Sequence, residues 1–290
     1  ITYAQLKEQL IEVRKLLSDY GIVRGDRVAI LSQNMPNWGV AYLAITTLGA
    51  IVVPILVDFH VNEILHILKH SGSKLVFVSA QQYDKIGYSE LDPFPVMVDM
   101  ETFEPVEPHL PQGKVLDFIQ ERSRDINRLK RRALEAVGLV SAEVHEEDLA
   151  AIIYTSGTTG SSKGVMLSHK NLVLDAHLTL KIQELNENDR LISILPLPHT
   201  YECTIGFLIP MMKGACVYYL DKPPTARILI PAMQKIRPTM ILTVPLIIEK
   251  IFKLQVHPQL TKNLLMREAY KLPVMRKALH KVAGKKLMKT

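Results

Sequence analysis

Apolar positions along this chain alternate between two periods. Leu6, Leu10, Val13 and Leu17 fall on one face of a helix. Thr2 with Gln5 three residues on predicts a capping box at its start, and Gly21 can close it. Arg27-Val28-Ala29-Ile30-Leu31 reads as a short buried strand. Pro36 suits the first turn of a helix that runs to about Leu48, and Gly49 ends it before the strand Ile51-Val52-Val53. A helix over 61–70 stopping at Gly72, a strand over 75–78 and a short strand over 95–98 continue the series.

Residues 100–148 change character. Pro105, Pro108 and Pro111 cluster, and charges dominate after 120, which predicts an exposed connection with one basic helix near 119–137. The alternation resumes with strands over 149–154, 191–195, 215–220 and 240–244, and with helices over 171–183 and 201–212. Strands separated by helices imply βαβ units and mainly parallel sheets flanked by helices. The expected fold class is therefore α/β. A first α/β unit over 1–148, including the basic connection, would precede a second over 149–290.

Composition narrows the class. With 48% hydrophobic and 22% charged residues the chain is globular, which excludes disordered and collagen-like classes. The stretch from Asn34 to Val57 holds no charge, but its Pro, Gly, Asn and Thr residues favour a buried helix, turn and strand over a membrane span. Residues 1–20 carry both charge signs and do not read as a signal peptide. Cys203 and Cys216 lack CxxC spacing, so zinc-ribbon and redox motifs are excluded. Both thiols are expected to be buried, in a reducing compartment. Residues 251–290 hold ten Lys and Arg against the single acid Glu268, and 122–132 form a second basic run. Neither interleaves stacking aromatics, so nucleic acid is not an expected partner. A solvated helix face, a phosphate-rich ligand or a membrane surface suits such a run. Ile1 falls inside a helical pattern and the last residues give no stop, so both ends read as cuts in a longer protein.

One segment carries chemistry: Tyr154-Thr155-Ser156-Gly157-Thr158-Thr159-Gly160-Ser161-Ser162-Lys163-Gly164, placed between a buried strand and a helix. Its glycines let backbone N–H groups converge on an anion. Its hydroxyls add neutral donors and can ligate magnesium, and Lys163 brings the point charge a polyphosphate needs. The expectation is a triphosphate-binding loop; the bland alternative is a flexible Ser/Gly turn. A Walker loop fits worse, because Ser162 stands at its second glycine and Gly164 at its Ser/Thr.

The segment resembles the signature Y/F-T-S-G-T-T-G-x-P-K-G-V of the adenylate-forming enzymes, departing only at the proline, where Ser162 stands. Asn34-Met35-Pro36-Asn37-Trp38 through Pro54 is similar to another family stretch. Pro196-Leu197-Pro198-His199-Thr200-Tyr201-Glu202 looks like a segment of the long-chain fatty acyl branch, and 245–250 resembles a further one. The likeness implies an incomplete large N-terminal domain of an acyl-CoA synthetase-like fold, the N-terminal portion of a long-chain fatty acid–CoA ligase. The family's adenine-, ribose- and carboxylate-contacting elements have no match here, so the 290 residues alone are expected to be inactive.

The resemblance further implies that Thr155, Ser156, Gly157, Thr158, Thr159, Gly160 and Lys163 bind ATP. Thr155 is the candidate magnesium contact. His199 would be the catalytic group beside the acyl carboxylate, with Tyr201 and Glu202 as further acyl or coenzyme A site candidates; capping and packing the next helix is the alternative for those two. ATP, Mg2+ and coenzyme A are the expected cofactor and co-substrates, and a fatty acid the substrate. A cytoplasmic protein, peripheral at the inner face of a membrane and homodimeric, would fit. Competing readings are an aryl or medium-chain acid ligase, a carrier-protein acceptor, and a non-catalytic ATP- or membrane-binding module.

Overall fold

The structure is a computed structural model describing residues 1–86, 91–106, 143–155, 162–220, 222–253 and 257–287. The first strands and helices follow the predicted alternation: α1 (Tyr3–Asp19), β1 (Arg27–Leu31), α2 (Pro36–Thr47), β2 (Ile51–Pro54), α3 (Val61–Ser71), β3 (Leu75–Val78), α4 (Tyr83–Ile86), β4 (Val96–Asp99) and β5 (Pro105–Val106). The start of α1 carries the predicted box: Thr2 N–H donates to Gln5 Oε1 at 2.8 Å and Gln5 N–H to Thr2 Oγ1 at 3.2 Å. Gly72 ends α3 at φ 60°, a left-handed conformation that costs a residue with a Cβ.

These strands join β6 (Leu149–Thr155) and β7 (Lys163–Ser168) in one seven-stranded sheet of order β5-β4-β3-β1-β2-β6-β7. Its central pairings are parallel, and only the edges β5 and β7 run antiparallel. Successive residues of β1 face opposite sides. Val28 and Ile30 enter the core beneath α1 and α2, while Ala29 and Leu31 pack toward α3. Covering both faces is what lets these strands be continuously apolar. It also accounts for the charge-free run 34–57, most of whose helix α2 is buried, Trp38 completely. Among the described residues, no helix is long and apolar enough to cross a membrane.

After α5 (His169–Leu180) comes a smaller parallel sheet, β10-β8-β9, built from β8 (Arg190–Ser193), β9 (Cys216–Tyr219) and β10 (Met240–Ile241). Between β8 and β9 lie a π-helical stretch, Glu202–Leu208, and α6 (Ile209–Lys213). Then follow α7 (Ala226–Ile236), α8 (Pro245–Ile251), α9 (His257–Leu260), α10 (Leu264–Lys271) and α11 (Pro273–Leu287). Sheet membership changes between Ser168 and Arg190, whereas the sequence pattern draws its line at 148/149. The α/β architecture of mainly parallel sheets flanked by helices is as expected.

Two expectations meet a different outcome. The signature segment leads into strand β7, which the sequence pattern does not give, and the helix expected from Asn171 begins at His169. Val165 and Met166 show no strand-like burial, both being exposed, and only the ladder to β6 makes the segment extended. Cys203 is buried, but Cys216 is exposed at the start of the edge strand β9. The basic helix expected over 119–137 lies outside the described residues.

Candidate functional site

All parallel strands of the large sheet end on one edge, and in open α/β sheets ligands bind outside that carboxyl edge. β6 delivers Thr155 there. β7 runs back from the same edge, so Thr155 and Lys163 face each other across the mouth of a β-hairpin. Their side chains are both exposed. Directly opposed residues of an antiparallel pair hold their Cβ atoms about 5 Å apart. The hairpin therefore sets a hydroxyl and an ammonium side by side at the sheet edge. Ser156, Gly157, Thr158, Thr159 and Gly160, on the segment joining them, lie outside the described residues.

The base of the hairpin is held by contacts that periodicity does not reveal. Tyr154 is buried, and its hydroxyl meets His70 Nδ1 of α3 at 2.7 Å. Burial raises the Tyr154 pKa, so the phenol is neutral. Gly164 lies against the same ring. A Cβ at 164 would sit 2.8 Å from Ile152 Cγ2 and 3.3 Å from Tyr154 Cζ, so the final glycine of the signature has a packing reason. Beyond β7, Ser168 caps α5 through a reciprocal box with Asn171.

A second cluster sits past the carboxyl end of β8. His199 is exposed on a turn closed by its own N–H donating to Pro196 O at 2.9 Å. Its Nδ1 accepts from Tyr201 N–H at 3.3 Å, which leaves the proton of a neutral ring on Nε2. Tyr201 is exposed as well. Glu202, by contrast, is fully buried. Its Oε1 accepts the Ser193 hydroxyl at 2.6 Å, and its Oε2 has no partner. Burial pushes the Glu202 carboxyl up to about 7, against smaller opposing effects from the Ser193 hydroxyl and the Leu195 amide. The hairpin and the 193–202 segment are the two places to which the structure brings described candidates. Sequence reasoning gave no role to Asn34, Ser193 or His70. Asn34 was visible as part of a motif, but nothing local indicated its partners.

Among the described residues no group of three or more His, Cys, Asp or Glu could hold a metal ion. An exposed threonine hydroxyl at a strand end suits a magnesium ion that arrives on a polyphosphate, since such ions keep few protein ligands.

A family model described as AMP-binding enzyme matches residues 1–289. The chain is 27% identical over 257 residues to the long-chain-fatty-acid–CoA ligase heimdall of Drosophila melanogaster, covering 87% of this chain and 37% of that protein. It is 28% identical to the 4-coumarate–CoA ligase CCL1 of Humulus lupulus, over 87% of this chain and 44% of the other. The chain thus spans less than half the length of these curated relatives. In structure it is similar to ATP-bound MatB from Rhodopseudomonas palustris, with a TM-score of 0.66, 22% identity, and coverage of 88% of this chain and 46% of that one. That likeness establishes the shared fold.

Proposed function

The chain belongs to the AMP-binding enzyme family, and from that premise we propose that it is the N-terminal part of an ATP-dependent acid–thiol ligase acting on a long-chain fatty acid. The observation that carries this reading is the hairpin bearing the YTSGTTGSSKGV signature, with Thr155 and Lys163 paired at its mouth. In the first step a carboxylate oxygen attacks the α-phosphorus of ATP. The bond to the bridging oxygen breaks, giving acyl-adenylate and pyrophosphate. In the second, the thiol of coenzyme A attacks the acyl carbon, loses its proton and expels AMP. Both steps depend on positioning and charge neutralisation. Lys163 and the hydroxyls and amides of 155–160 cradle the β- and γ-phosphates. Thr155 would hold the magnesium ion, which supplies further neutralisation of the phosphates when bound. His199 and Tyr201 border the acyl and thiol side.

The segment 196–202 supports the long-chain substrate. The likeness to a coumarate ligase favours a second reading, an aryl acid. Pyrophosphate release by the intact protein, measured with palmitate, octanoate and 4-coumarate, separates them. Release only with an added acid, and fastest with palmitate, is the expected result. Inorganic phosphate release without an acid would sink the ligase reading. The basic helices α10 and α11 with the residue between them, which expose Leu272, Val274, Met275 and Val282, suit peripheral contact with anionic lipid. Equal sedimentation with anionic and neutral vesicles would refute that contact.

A further inference from the structure

The two sheets meet through one polar knot. Asn34 follows β1 of the large sheet, and Ser193 ends β8 of the small one, 159 residues away in sequence. Asn34 Nδ2 donates to Ser193 Oγ at 2.9 Å and to Leu195 O at 2.6 Å, and its Oδ1 accepts Leu197 N–H at 2.8 Å. Each of those bonds lands on β8 or on the chain leading from it to His199. From the other side the Ser193 hydroxyl donates to Glu202 Oε1. Both polar atoms of the Asn34 side chain are engaged by the end of β8 and the segment after it.

Glu202 opens the π-helical stretch, a rare geometry often found at functional sites. Its carboxyl is wedged against Gly206, where an added Cβ would lie 2.7 Å from Glu202 Cδ. One turn on, Phe207 packs edge-on against Trp38 of α2, so the stretch is clamped to the large-sheet core. We infer that Asn34 and Glu202 are positioning residues that grip Ser193 from both sides and set the 194–201 turn, with His199 at its exposed crest, over the joined carboxyl edges.

The inference rests on the ligase reading for what His199 does there, but the grip is independent of it. Burial of a carboxyl whose second oxygen has no partner favours its protonated form. The titratable groups facing it are Cys203 on its own element and Tyr219 of β9, with Tyr42 of α2 and Tyr3 of α1 behind them. All four are shifted upward, chiefly by burial, and stay neutral. His199, one turn earlier, reaches the stretch only through its backbone carbonyl, which accepts Cys203 N–H.

The test compares Asn34→Ala, Glu202→Ala and Glu202→Gln in the intact protein. Hydrogen exchange read by mass spectrometry should rise in 194–201 in both alanine variants, while the β6–β7 hairpin stays protected. With ATP, magnesium, coenzyme A and palmitate, kcat should fall by about 10²-fold with the KM for ATP held, since small misplacements cost that much. Glu202→Gln, which keeps the volume and an acceptor for Ser193, should recover most of both. Unchanged exchange in 194–201 would overturn the grip whether or not the protein is a ligase. Loosened exchange with wild-type kcat would overturn the positioning role. Were the wild type to activate no acid, the ligase reading would fail and exchange alone would decide the grip.

Discussion

At the scale of single residues, the candidate chemistry separates into groups that meet solvent and groups that do not. Lys163 is exposed at the hairpin mouth. Lys163→Ala is therefore expected to change stability by no more than about 0.5 kcal/mol while weakening ATP binding markedly. Thermal melting beside calorimetric titration with ATP checks this; a large loss of stability with unchanged affinity would make the lysine structural. Glu202 is the opposite case. Burial raises its pKa from 4.5 to about 7 in the folded state. Between those values the unfolded chain has released the proton and the folded one has not. The stabilisation is complete below 4.5 and is lost as pH rises through about 7. On the order of 3 kcal/mol is at stake. Denaturant titrations across that window should show the decline in the wild type and a flatter profile in Glu202→Gln.

At the scale of elements, helix starts and ends obey local rules, and strands do so only in part. Ser168 caps α5 by accepting Asn171 N–H at 3.2 Å, and Asn171 Oδ1 returns the bond to Ser168 N–H at 2.9 Å. Ser168→Ala should cost about 1 kcal/mol. Because α5 follows β7 directly, the melting transition should broaden or fall, whereas the substitution leaves Thr155 and Lys163 untouched; an unchanged midpoint would mean the helix is held by packing alone. The hairpin β6–β7 shows the limit of local rules. Val165 and Met166 are exposed apolar residues, and their extended conformation comes from pairing with Ile153 and Ile152. Nothing within the segment distinguishes that outcome from an early helix start.

At the scale of the whole molecule, the hydrogen bonds of Asn34 tie the large sheet to the small one. Tyr3 of α1 adds a second tie, its hydroxyl donating to Pro210 O and Ala215 O at 3.1 Å each. The ligase reading also makes a demand on size. Residues 1–290 span 37% to 44% of the curated relatives described above. The family resemblance implies that the adenine- and ribose-contacting elements lie outside these residues. Each missing electrostatic partner can cost about 10² to 10³ in rate. A thioester assay on these residues alone, with ATP, magnesium, palmitate and coenzyme A, should therefore show no turnover above background. Turnover at the rate of the longer protein would place all catalytic groups within them.

What the amino-acid order determines by itself is whatever neighbours can encode. The α/β alternation, the capping box at Thr2, the glycine stop at Gly72 and the burial of the charge-free 34–57 run are all written within a few residues of where they act. The signature segment is likewise legible, because an anion-binding loop needs its glycines, hydroxyls and lysine close together in sequence. Tertiary structure decided which strand pairs with Lys163, why Tyr154 meets His70, and why Cys216 is exposed while Cys203 is buried. It also buried Glu202 completely while leaving its neighbour Tyr201 exposed. The Tyr154–His70 contact joins residues 84 apart in sequence, and the Asn34–Ser193 bond joins residues 159 apart. A hydrogen bond or a burial across such a separation is set by how the layers pack, and the local period of the chain carries no record of it.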